Sequence, residues 1–141
     1  MSKLNKAMIL EKCETIVRCI NRIKEKTPGS LETLSSDLDS QDIIIINLER
    51  ASQATVDIAA HIISSCNLKS AESMSLSHLV LYENSILSKE ISVRMQKAVG
   101  MRNLFVHEYA NIDWSIVWKI VNNHTADYID FVFEIQKWVT P

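Results

Sequence analysis

The sequence predicts an all-α fold, an antiparallel bundle of about five helices in a single domain spanning residues 1–141. Three observations predict it. Only two glycines and two prolines occur in 141 residues, too few breakers for a meander of short strands. Apolar residues recur at three- and four-residue steps over most of the chain, the period of a helix with one buried face. No segment reads as a convincing strand, and antiparallel helices joined by short loops follow.

Taken in order, Leu4 to Lys26 is the first helix. Ile9, Cys13, Ile16, Val17, Ile20 and Ile23 line one side and Lys12, Glu14, Arg18 and Arg22 the other. Thr27-Pro28-Gly29 stops it. Ser30 to Asp39 is polar and reads as a loop with a short turn, with Ser36 or Ser40 as rival helix starts. The run Ile43 to Ile46 suits a strand in isolation. Leu48, Ala51, Ala54, Ile58, Ile62 and Ile63 continue at helical steps with no turn signal between, so one helix runs from about Gln41 to Cys66.

Asn67 to Ser73 is a polar linker, and Ser75 to Ile86 a short helix. Ser88 is placed to cap a helix from Lys89 to about Phe105, with Ile91, Met95, Ala98 and Val99 facing inward. Gly100 weakens that helix by roughly 1 kcal/mol relative to alanine; close approach of another backbone is one reason to keep it. Asp113 is the expected N-cap of a last helix running to the C-terminus, with Ile112 and Val117 as a hydrophobic staple across it. The tryptophans and phenylalanines of that helix are expected in the core rather than as platforms for stacked bases.

The formal net charge of −2 lacks the basic excess of a protein that wraps duplex DNA. Contact with nucleic acid then needs a local basic patch or a groove shared by two subunits. Cys13, Cys19 and Cys66 form no C-x-x-C pair, and their odd count suits a reduced, cytoplasmic setting with the thiols as small core residues. The polar start Met1-Ser-Lys-Leu-Asn-Lys is no signal peptide. No apolar run is long enough to span a membrane.

Most catalytic signatures are absent. There is no Gly-rich phosphate loop, no G-x-S-x-G and no H-E-x-x-H. His61, His78, His107 and His124 are scattered without metal-ligand spacing, so neither a metal site nor a cofactor is expected. One dense cluster remains, Arg102-Asn103-Leu104-Phe105-Val106-His107-Glu108-Tyr109. Its residue types suit cleavage of an RNA phosphodiester without a metal. A neutral imidazole can take the 2′-hydroxyl proton near neutral pH. A guanidinium can grip two phosphate oxygens and offset charge growing in the transition state. A phenol can donate to the phosphate or orient the imidazole, and Asn103 adds an amide.

Helix geometry constrains this arrangement. Five residues give about 7.5 Å of rise and about 140° of rotation, so Arg102 and His107 do not share a helix face. Either the helix breaks between them, or a symmetric dimer pools the segment from two copies. The same residues also suit an ordinary helix-end network, with Arg102 paired to Glu108 or Asp113. On that reading the chain is a non-catalytic module that binds nucleotide or protein.

The cluster resembles the R-x-x-x-x-H-x-Y motif of HepT-type proteins of the HEPN superfamily, with Arg102, His107 and Tyr109 at its fixed positions. Val99-Gly100-Met101-Arg102-Asn103, Asn47-Leu48-Glu49-Arg50-Ala51 and Asp57-Ile58-Ala59-Ala60-His61-Ile62-Ile63 extend the similarity. The resemblance implies a helical bundle that dimerises with both motifs lining one cleft. It implies a metal-independent ribonuclease toxin with Arg102 and His107 as catalytic residues. It also implies a partner, a small MNT-type nucleotidyltransferase antitoxin that silences the toxin by transferring AMP to the motif tyrosine, here Tyr109.

Beside the motif, Asp57 and His61 lie one helical turn apart. Asp57 is a candidate supporting residue that orients an imidazole or the motif arginine, against the simpler reading that the two satisfy each other. Arg50 shares that spacing. Lys89, Arg94 and Lys97 offer basic charge near the motif or merely a solvated helix face.

Overall fold

The computed structural model describes residues 3–107 and 111–141, with the helical backbone alone for residues 103, 104, 106 and 107. Seven helices occur among the described residues: α1 (Lys6–Lys26), α2 (Leu31–Ser36), α3 (Leu38–Ser65), α4 (Ser77–Glu83), α5 (Lys89–His107), α6 (Trp114–Asn123) and α7 (Thr125–Val139). No strand is found among them. The four long helices form a ring in which α1 packs on α3, α3 on α5, α5 on α7 and α7 on α1. α4 covers the α3–α5 seam, and α2 sits on α3 and α6.

The apolar steps read from sequence become the core. Ile9, Cys13, Ile16, Ile20 and Ile23 of α1 and Ile44, Leu48, Ala51, Ile58 and Ile62 of α3 are fully or almost fully buried, and Phe131 and Ile135 of α7 meet them. The two buried thiols, Cys13 and Cys19, lie in this layer as free cysteines. Burial pushes the Cys13 thiol up to about 11, so it stays protonated and behaves as a small apolar group. α1 and α3 are antiparallel, as the pairs Asn5–His61 and Lys12–Asp57 show.

Two stretches differ from the expectation of about five helices. The 30–39 segment holds a real helix, α2, because the Ser30 hydroxyl caps it by accepting from Thr33 N–H. Asp37 then closes α2 and opens α3, accepting from Asp39 N–H. The last helix divides at His124, whose φ of −126° and ψ of 1° end α6 and begin α7. Asn122, Asn123 and His124 are weak helix formers, and their side chains compete for backbone partners. Asp113 caps α6 as expected, its carboxylate accepting from Ser115 N–H, and Ile112 and Val117 both join the core. Phe133 is a correction: it is 68% exposed on α7 rather than buried.

A buried polar chain ties α3, α4, α5 and α7 together. The Tyr128 and Ser52 hydroxyls are 2.8 Å apart. Thr55 Oγ1 donates to the Ser52 carbonyl at 2.7 Å and lies 3.0 Å from His78 Nε2. Since the one Thr55 proton is already directed at Ser52, His78 Nε2 is the donor, and burial, which lowers the ring's pKa to about 4, keeps it neutral near pH 7. Ser92 Oγ in turn donates to the His78 carbonyl at 2.8 Å. Among the described residues no helix is long and apolar enough to cross a membrane.

Candidate active site

Two clamps fix α5, which carries the motif. At its start, the Ser88 hydroxyl accepts from Ile91 N–H, the expected cap, and itself donates to Glu134 of α7. Further along, Arg94 Nη1 donates to the buried Asp127 carboxylate at 2.8 Å. Arg94 also pairs with Glu90. Its charge is therefore held within the fold, while Lys89 and Lys97 are exposed.

α5 is continuous through His107. The helix does not break between Arg102 and His107, so their positions stand about 7.5 Å apart along the axis and about 140° apart around it. Position 107 falls on the strip of α5 that includes Val93 and Gly100, at seven-residue steps. Val93 and Gly100 are both exposed. A Cβ built on Gly100 meets nothing within 4 Å, so the close backbone approach expected there is absent within one chain among the described residues.

Arg102 points to the other side, toward α3. Its side chain is only 19% exposed, and Nη2 lies 3.8 Å from Glu49 Oε1. Nε is buried without a hydrogen-bond partner among the described residues. The pairing of Arg102 with Asp113 is not found, since Asp113 caps α6. Glu108 and Tyr109 lie outside the described residues, and of Asn103 only the backbone is described.

The remaining candidates gather elsewhere. Asp57 accepts from Lys12 Nζ at 3.3 Å and from Gln53 Nε2 at 2.8 Å. His61 Nε2 accepts from the Asn5 backbone N–H at 2.9 Å and lies 3.2 Å from Ser65 Oγ. So Asp57 and His61 each answer to α1 and its own turn of α3, and the structure does not bring Asp57 to Arg102. Arg50 is exposed. Glu49 is the site neighbour that the sequence did not single out. Its link to Arg102 spans 53 positions, and no spacing rule reaches that far.

Among the described residues, no group of three or more His, Cys, Asp or Glu is placed to hold a metal ion. A cleft of about 660 Å³, lined by Tyr82, Ile86, Leu87, Lys137 and Trp138 among others, lies at the opposite end of α5 from Arg102. That distance, about 20 Å along the helix, separates it from the motif.

Residues 16–135 match the family model described as ribonuclease HepT-like. The chain is 34% identical over 125 residues to an mRNA nuclease HepT of Shewanella oneidensis, covering 89% of this chain and 93% of that one. It is 28% identical over 141 residues to a tRNA nuclease HepT of Aphanizomenon flos-aquae, covering 99% and 95%. Its fold superposes with a TM-score of 0.85 on a tri-AMPylated Shewanella oneidensis HEPN toxin solved in complex with an MNT antitoxin, at 34% identity over 92% of this chain and 97% of that one.

Proposed function

The chain belongs to the HepT-like ribonuclease family, and we propose that it is the toxin of a toxin–antitoxin pair, a cytoplasmic endoribonuclease that cuts RNA without a metal ion. His107 takes the 2′-hydroxyl proton. The 2′-oxygen attacks phosphorus, the bond to the 5′-oxygen breaks, and that oxygen leaves with a proton from solvent. The products are a 2′,3′-cyclic phosphate and a 5′-hydroxyl. Arg102 holds the non-bridging oxygens as charge grows on them, and Asn103 adds an amide beside it.

One observation carries this reading: α5 stays helical through His107 while Arg102 turns inward beside Glu49. One chain therefore places positions 102 and 107 on different sides of one helix. A two-fold dimer seamed along the exposed Val93–Gly100 strip sets the 107 position of each copy beside the other chain, and the open space at Gly100 accommodates such an approach.

Control falls to Tyr109, the position of the motif phenol. AMP transferred to it by an MNT-type nucleotidyltransferase antitoxin brings a phosphate that competes with RNA for Arg102 and a base that blocks the cleft. The tri-AMPylated relative supports this assignment of chemistry.

The test is cleavage of RNA by the purified chain in excess chelator, with the new ends identified. Arg102→Ala and His107→Ala are expected to lose at least a hundredfold in rate. Equal cleavage by wild type and His107→Ala removes the catalytic reading, and binding without cleavage by wild type favours a non-catalytic module. Intact mass after co-expression with the antitoxin tests the switch: a mass gain that persists in Tyr109→Phe moves the modified residue elsewhere.

A further inference from the structure

We infer that Glu49 is a positioning residue for RNA cleavage, acting through Arg102; the inference rests on the ribonuclease reading above. An arginine side chain has several rotatable bonds, and a phosphate clamp works best when its planar fork is already oriented. Arg102 is largely shielded from solvent, and its Nη2 faces Glu49 across 3.8 Å. That separation exceeds a hydrogen bond. Glu49 therefore acts on the guanidinium by charge across this gap. The buried Nε has no partner among the described residues, so it does not hold the guanidinium in place, and Glu49 is the carboxylate that faces the fork.

The other acidic side chain on α3 weighed for this role, Asp57, is held by Lys12 and Gln53. Eight residues separate it from Glu49, about 12 Å along the helix. Glu49 thus has the geometry that Asp57 lacks. Its position also has a cost for ground-state binding, because a carboxylate beside the clamp repels the RNA backbone. A positioning role therefore predicts a split: Glu49 raises kcat and does not lower KM.

Glu49→Gln keeps the shape and removes the charge. The expected result is a fall in kcat of at least tenfold with KM unchanged or lower. In an Arg102→Lys background, whose compact ammonium has no fork to orient, the same change should alter kcat less than twofold. A kcat within twofold of wild type, or an equal loss in both backgrounds, overturns the proposal. A second measurement does not depend on cleavage. The Nε–Hε resonance of Arg102, assigned by its absence in Arg102→Lys, should broaden or shift in Glu49→Gln. An unchanged resonance overturns the positioning role whatever the activity. A changed resonance in a wild-type protein that cuts no RNA leaves the positioning of Arg102 standing and removes the ribonuclease reading alone.

Discussion

Glu134 of α7 grips Ser88 twice, accepting from its backbone N–H at 2.7 Å and from its hydroxyl at 2.8 Å. Ser88 is the cap of α5, so the helix that carries Arg102 and His107 is anchored at its start by a carboxylate from another helix. The negative charge also lies at the positive end of the helix dipole. Glu134→Ala removes both acceptors. The expected cost is about 1–2 kcal/mol in urea unfolding, with faster amide exchange in the first turn of α5. Unchanged exchange there would mean that the hydroxyl of Ser88 caps the helix unaided.

His78 gives the fold an acid-side weakness. The ring is fully buried, meets Phe131 edge-on with centroids 5.2 Å apart, and has no partner for Nδ1 among the described residues. Burial lowers its pKa from 6.5 to about 4. The unfolded chain then takes up a proton between about pH 6.5 and pH 4 that the folded chain refuses. Stability from this group is complete above pH 6.5 and falls as pH drops through that window, by up to about 3 kcal/mol. His78→Gln keeps a donor for Thr55 and cannot titrate. Subtracting its unfolding free energies from those of wild type at each pH should leave that slope, and a flat difference would show that folding leaves the His78 pKa unchanged.

Asp57 is expected to matter for stability and not for rate. Its pair with Lys12 is about one-third exposed on both sides, and such pairs contribute about 0.2–1 kcal/mol. Asp57→Asn should lower stability by no more than that and leave RNA cleavage within twofold. A tenfold loss of kcat in a variant with wild-type unfolding would return Asp57 to the site.

These cases show which relationships were legible in the sequence. The apolar steps of α1 and α3 named the core because a helix buries residues three and four apart whatever it packs against. Caps were legible at Ser88 and Asp113, where one side chain serves its own next turn. The division at His124 was not, because Val117, Val121 and Tyr128 keep the core-facing rhythm across it while only the backbone changes. The motif put positions 102 and 107 five residues apart but left open whether the helix breaks between them, and α5 runs through both. The motif could not supply Glu49, which reaches Arg102 only once α3 packs on α5. Nor could the four-residue spacing of Asp57 and His61 reveal that α1 would lie along them and take each as a partner, through Lys12 and Asn5.

Gly100 offers the sharpest test of the shared cleft. It lies in helical backbone with open space around it, so within one chain Gly100→Ala should raise stability by about 1 kcal/mol, as alanine replaces glycine in a helix interior. Gly100→Glu also improves helix propensity, and its Cβ meets nothing within 4 Å among the described residues. If two copies meet along the Val93–Gly100 strip, however, the new carboxylates face each other across the two-fold axis and repel. Sedimentation should then find a folded monomer, with wild-type helicity and at least a tenfold loss of RNA cleavage, since each His107 has lost the neighbouring chain. A dimer that survives Gly100→Glu and still cuts RNA would place the subunit contact on another face and require Arg102 and His107 to meet by a different route.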